Sequence, residues 1–109
     1  MITSKGIELG NNITLAESLL ARMKGLLGKA KLEAGGGLLI RPCKGIHTFF
    51  MQFPIDAVFL SKDNQVVSLV HAIPPNRMSH INMQAVSVLE LPAGTLGEKV
   101  VVGDTIDFI

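Results

Sequence analysis

Apolar and polar residues alternate along most of this chain, which is the pattern of β-strands that bury one face. On either side of a Gly-Asn-Asn turn at residues 10–12, the alternating apolar residues are Ile7, Leu9, Ile13 and Leu15. Six later segments are rich in Val, Ile and Phe and predict strands: residues 38–41, 46–53, 55–60, 65–73, 85–91 and 105–109. The polar residues 61–64 separate two of these segments and predict an antiparallel hairpin.

One segment instead has the period of an α-helix. Its apolar residues fall on a single face: Leu19, Leu20, Met23, Leu26 and Leu27. Gly28 is a typical helix stop. The glycines at residues 35–37 predict a loop, because glycine loses much conformational entropy in regular structure. They lack the Lys and Ser/Thr that complete a phosphate-binding loop.

Many short strands and a single helix predict a mainly β fold. We expect one domain over residues 1–109, built as an antiparallel β-sandwich or a small, jelly-roll-like barrel with one short amphipathic helix. A longer loop is expected from residue 74 to about residue 84, where Pro74 and Pro75 end a predicted strand. Parallel α/β architecture is not expected, because the sequence lacks crossover helices.

The composition is that of a folded domain, with 48% hydrophobic and 17% charged residues among 109. A net charge of +1 gives no strong positive field, so neither nucleic acid nor membrane is expected as a partner. Cys43 is the sole cysteine, which excludes a disulfide within the chain. Because the sequence shows neither a secretion signal nor an apolar run of ~18 residues, a cytoplasmic location is expected.

Several sequence blocks, taken in order, resemble those of a known family. They are Arg22-x-x-Gly25-Leu26-Leu27-Gly28, Gly37-Leu38-Leu39-Ile40, His47-Thr48-Phe49-Phe50-Met51, Phe53-Pro54-Ile55-Asp56-Ala57-Val58-Phe59-Leu60, Val88-Leu89-Glu90-Leu91-Pro92-Ala93-Gly94 and Gly103-Asp104. Together they resemble the bacterial and archaeal family catalogued as domain of unknown function 192. The resemblance spans nearly the whole chain and implies a jelly-roll-like or barrel-like β domain with one helix. It implies no established activity, cofactor or catalytic residue.

Two acidic residues interrupt apolar segments: Asp56 lies in the run IDAVFL, and Glu90 lies in the run VLEL. A carboxylate among such neighbours faces solvent or has to be paired and hydrogen-bonded. Arg22 lies about 100° from the centre of the helix's apolar stripe, so its head could reach a carboxylate. Lys24 is placed equally well on the other flank, and the family block favours Arg22.

The trio of Arg22, Asp56 and Glu90 has three interpretations. It can be a structural ion pair that pins the helix to the sheet, or the polar floor of a small ligand pocket. The two acids can also be a pair for hydrolysis, which requires a fixed separation and different pKa values. His47 and Met51 share a face of the predicted strand 46–53 and complete the ligand-binding hypothesis.

Metal binding is a further alternative. Cys43, His47 and Met51 are evenly spaced, but strand residues four apart lie roughly 13 Å apart, too far to share one ion. The weak candidates are Met78, His80 and Met83 in the loop, because thioethers and imidazole suit Cu(I). Methionines that fold back to fill gaps in the core are the simpler explanation.

Two classes of function therefore remain. The first, which we favour, is a non-catalytic accessory domain that binds a small molecule or a protein partner, with loops on a rigid scaffold as the rim of its site. The second is a small hydrolase that uses Asp56 or Glu90, or a soft-metal carrier that uses the Met/His loop. No cofactor is expected, and we expect a monomer or a weak dimer. The residues alone leave open whether the chain is an enzyme.

Overall fold

The computed structural model describes residues 2–18, 32–49 and 51–108. These residues form eight strands: β1 (Ile2–Ser4), β2 (Ile7–Gly10), β3 (Asn12–Ala16), β4 (Gly36–Ile40), β5 (Ile55–Leu60), β6 (Val66–Ile73), β7 (Ser87–Pro92) and β8 (Ile106–Phe108). The mainly β prediction is confirmed. The predicted helix over residues 19–27, with Arg22, lies outside the described residues. A helix long and apolar enough to cross a membrane is absent from the described part of the chain.

The strands form two sheets. Five strands form the larger sheet in the order β3-β4-β7-β5-β6, and three form the smaller sheet in the order β2-β1-β8. In the larger sheet β3 pairs with β4 in parallel, whereas all other neighbours are antiparallel. The expectation of a purely antiparallel arrangement is therefore wrong for β3. Residues 17–35 provide the long connection that two parallel strands require.

The hairpin predicted at residues 61–64 is confirmed as the connection from β5 to β6. The N–H of Asn64 donates to the carbonyl of Ser61 at 2.9 Å, and Asn64 has a φ of 61°, which Asn tolerates better than most residues. The pairing register of β6 shifts twice against β5, opposite Ile55/Ala57 and opposite Phe59/Leu60. Such shifts mark β-bulges, so β6 is an irregular strand at one edge of the sheet.

The glycine run is not simply a loop, because Gly36 and Gly37 are buried residues of β4. A Cβ on Gly37 would lie 2.9 Å from the backbone oxygen of Glu90, and one on Gly36 would lie 3.0 Å from that of Glu33. Glycine therefore occupies these two positions because the neighbouring backbone lies too close for a side chain, rather than because the chain needs conformational freedom there. Gly35, with a φ of 83°, does make the turn before the strand.

The predicted strand over residues 46–53 is wrong. Of the residues that the structure describes in this segment, only His47 has a strand-like partner, in an isolated antiparallel bridge with Met78. The Thr48 hydroxyl donates to the carbonyl of Pro74 at 2.6 Å and accepts from the N–H of Arg77 at 2.9 Å. The segment is thereby fixed to the following loop instead of to the sheet.

The larger sheet is buried on both faces. On one face, Leu39, Val58 and Leu89 share a core cluster with Leu9 and Ile106 of the smaller sheet. We call the opposite face the loop face, because residues of the segments between strands cover it. Its buried residues are Leu38, Ile40, Ile55, Ala57, Phe59 and Val88, and its covering residues include Cys43, Ile46, Met51 and Phe53.

Candidate functional site

Glu90 lies on the loop face in the middle of β7. Its cross-strand neighbours are the buried apolar residues Leu38 of β4 and Ala57 of β5. Glu90 is only 3% exposed, and no described residue donates a hydrogen bond to its carboxyl or forms an ion pair with it. Burial raises the pKa of Glu90 from 4.5 to about 7, because the apolar surroundings disfavour the charged form. Glu90 is thus a buried acid whose hydrogen-bonding capacity is unused within the described residues.

Asp56 is equally buried but fully engaged by the backbone. Its Oδ1 accepts from the N–H of Ala72 at 2.8 Å, and its Oδ2 accepts from the N–H groups of Gly94 and Leu96 at 3.1 and 3.0 Å. Ala72 has a φ of 50°, a conformation that costs energy in a non-glycine residue. Asp56 therefore fixes the bulge of β6 and the turn after β7, which is a structural role.

The two acids lie on opposite faces of the sheet. Asp56 pairs with Leu91, and Ala57 pairs with Glu90 in the same register. Because successive side chains of a strand point to opposite faces, Asp56 points to the side of Leu91 and Glu90 to the side of Ala57. The two carboxyl groups cannot face a common cleft, so the acid pair expected for hydrolysis is not formed. Arg22, their expected partner, lies outside the described residues.

The structure separates the other two candidates of the ligand-binding hypothesis. Met51 is buried in the same core cluster as Leu38, the cross-strand neighbour of Glu90. His47 is exposed and stacks on the ring of Phe49, with ring centroids 5.3 Å apart. Met51 therefore borders the loop face that holds Glu90, whereas His47 lies at the protein surface.

The segments 43–49 and 76–86 run together as an irregular antiparallel pair, which we call the ribbon. Backbone N–H groups of Thr48, Ser79 and Asn82 donate to carbonyls of Arg77, Ile46 and Lys44 across it. The buried Thr48 hydroxyl connects the two segments, and Lys44 Nζ donates to the carbonyls of Met83 and Ala85 at 3.1 and 2.8 Å.

His80 attaches the ribbon to the sheet. Its ring stacks on the buried Phe59, with ring centroids 4.8 Å apart, and its Nε2 lies 3.0 Å from the Ser68 hydroxyl of β6. Met78 and Met83, the other soft-metal candidates, are exposed. Among the described residues no group of three His, Cys, Asp or Glu side chains could hold a metal ion. The sequence does not reveal the partners of Thr48 or the contact of Ser68 with His80, because these contacts form only when the loop packs.

The fold and the site define a class: a mainly β domain with an open mixed sheet and, on its loop face, a buried acid that has no partner among the described residues. The chain belongs to the DUF192 family, described as Uncharacterized ACR, whose model matches residues 1–108. No protein of curated function matches the chain. The resemblance stated from the sequence blocks is thus confirmed.

Two solved structures are similar to the chain. A protein of unknown function from Novosphingobium aromaticivorans has a TM-score of 0.81 at 20% identity, over 98% of this chain and 83% of its own. A protein from Sinorhizobium meliloti, described as a "putative transcription regulator", has a TM-score of 0.76 at 22% identity, over 87% of this chain and 79% of its own. At such identities the likeness shows the fold alone.

Proposed function

We propose that this domain binds a small molecule without covalent chemistry and that the Glu90 carboxyl is the recognition group. The observation that carries the proposal is an acid 3% exposed, among apolar side chains, with no donor among the described residues. Buried polar groups in native proteins are almost always hydrogen-bonded, so an exception requires an explanation. A ligand that supplies the missing donor is such an explanation.

The chemistry of Glu90 restricts the ligand. With a pKa raised to about 7 by burial, the carboxyl exists in both forms near neutral pH. The ionised form accepts hydrogen bonds from an ammonium, guanidinium or hydroxyl group, and a cation close to it lowers its pKa again. The cross-strand neighbours of Glu90, Leu38 and Ala57, suit the carbon skeleton of such a molecule, as does Met51, which shares a core cluster with Leu38.

The proposal keeps part of the ligand-binding hypothesis. Glu90 and Met51 remain candidate ligand contacts on the loop face, and Asp56 maintains the scaffold from the other side of the sheet. We retain a sandwich-like arrangement as part of the proposal, supported by the core cluster that Leu9 and Ile106 share with the larger sheet. A hydrolase has no supporting observation, because the two acids do not face one another.

Native mass spectrometry of untagged protein, expressed in its own host, tests the proposal. Wild type is compared with Glu90→Gln and with the control Glu98→Gln, which changes an exposed acid. We expect a non-covalent adduct of discrete mass on wild type and on the control, and its loss from Glu90→Gln. Absence of any adduct on wild type, or an equal adduct on Glu90→Gln, would contradict the proposal.

A further inference from the structure

The outer surface of the ribbon presents large apolar side chains to solvent. Met78, Ile81 and Met83 are 69%, 65% and 74% exposed, although methionines beside a β-sheet usually fold back to fill gaps. Ile81 packs against Gly45, where a Cβ would lie 2.5 Å from the Ile81 Cδ1. Large exposed apolar side chains that lie this close together along a chain often mark interaction surfaces.

This surface is held rigidly. Ser79 exchanges hydrogen bonds with Ile46 through its N–H and its hydroxyl, both at 2.8 Å. The N–H of Asn82 donates to Lys44, and the ring of His80 is fixed between Phe59 and Ser68. The apolar side chains therefore project from a backbone that is already ordered, which lowers the entropy cost of binding a partner.

The formal charges on the ribbon itself have one sign. The sequence has no Asp or Glu in residues 34–55 or in residues 64–89, the stretches that contain both halves of the ribbon. The ribbon carries the exposed cations Lys44 and Arg77. The acids that border these stretches on the strand side, Asp56 and Glu90, are buried in the sheet. The exposed apolar side chains thus lie on a positively charged ribbon.

We propose that the ribbon is a docking surface for an acidic, amphipathic segment of a protein partner. Apolar side chains of that segment pack on Met78, Ile81 and Met83, and its carboxylates face Lys44 and Arg77. A second copy of this chain fits less well, because a symmetric contact would bring the same cations together. Anionic membranes usually attract clusters of about four to eight basic residues, more than the ribbon carries.

Selection from a phage-displayed library of random peptides on immobilised wild type tests the proposal. The test variant is Met78→Ser/Ile81→Ser/Met83→Ser. The matched control is Val101→Ser/Val102→Ser, which removes exposed apolar residues, 53% and 61% exposed, from a loop next to acidic residues. We expect enrichment of peptides that combine Asp or Glu with Leu, Ile, Phe or Met.

The selected peptides are then measured by fluorescence anisotropy. We expect the triple serine variant and Arg77→Glu each to weaken peptide binding by at least about 10-fold, and the control to bind like wild type. Binding of the peptides to wild type should weaken at high salt. The proposal is overturned by a library without enrichment, by basic peptides among the hits, or by equal affinity for the triple variant. It is also overturned if wild type, but not the triple variant, dimerises or binds phosphatidylserine vesicles instead.

Discussion

Replacement of Glu90 by Gln isolates the cost of burying this carboxyl, because the two side chains have nearly the same shape and only Glu ionises. In the folded chain burial raises the pKa of Glu90 to about 7, against an ordinary value of 4.5. Below pH 4.5 the carboxyl is protonated in both the folded and the unfolded states, so its ionisation costs nothing. Between the two values the unfolded chain releases a proton that the folded chain keeps.

The free energy of unfolding therefore falls as the pH rises through this window, because the unfolded state binds fewer protons than the folded state. The difference between 7 and 4.5 corresponds to about 3 kcal/mol at about 1.4 kcal/mol per pKa unit. Above pH 7 the full cost of ionising the buried carboxyl lowers the stability of wild type, whereas Glu90→Gln has no such cost. We expect Glu90→Gln to be more stable than wild type at pH 8 by about 3 kcal/mol, and by less than about 1 kcal/mol at pH 5.

Urea unfolding at both pH values measures this difference, and refolded protein is used so that a co-purified ligand does not contribute. Other titrating groups affect both proteins equally and cancel in the comparison. The control Glu98→Gln changes an exposed acid and should show a difference from wild type that is nearly independent of pH. A stability gap between wild type and Glu90→Gln that stays constant from pH 5 to pH 8 would refute the reasoning.

Three further substitutions test the scaffold by urea unfolding. Asp56→Ala should lose at least about 3 kcal/mol, because three backbone N–H groups lose the buried carboxyl that accepts their hydrogen bonds. Asp107→Ala, which changes an exposed residue of β8, should lose under about 0.5 kcal/mol. Thr48→Val should cost about 1–3 kcal/mol and accelerate hydrogen exchange at the Arg77 amide; unchanged exchange would argue against the hydroxyl as the connection. Gly37→Ala should cost about 1–3 kcal/mol, because the new methyl group would press on the Glu90 carbonyl; an unchanged unfolding midpoint would contradict that close approach.

The local pattern of apolar and polar residues predicted strands correctly where the backbone hydrogen bonds are formed within the sheet. Residues 55–60 form a strand with the expected bounds, and the turn at 61–64 is where its polar residues indicate. Residues 46–53 have similar apolar content, yet their hydrogen bonds go to the loop that begins at Pro74. The conformation of this segment depends on contacts with residues about 30 positions away along the chain, and the local periodicity of apolar residues carries no information about such contacts.

The candidate site, too, could be predicted from the sequence only in part. The apolar neighbours of Asp56 and Glu90 left open whether each acid faces solvent or is buried with a partner, and both are buried. Their separation onto opposite faces depends on the register between β5 and β7, where a shift of one residue would exchange the two sides. Register is a property of the assembled sheet, so the sequence could single out the two acids but could not predict which face of the sheet each one occupies.

The two bulges of β6 have a consequence for the behaviour of the protein in concentrated solution. An uninterrupted strand at the border of a sheet offers evenly spaced donors and acceptors on which another chain can grow. In β6 the register breaks twice within eight residues, so a foreign strand could match it only over short stretches. The irregular strand β6 thereby disfavours edge-to-edge aggregation, although it carries no Asp, Glu, Lys or Arg.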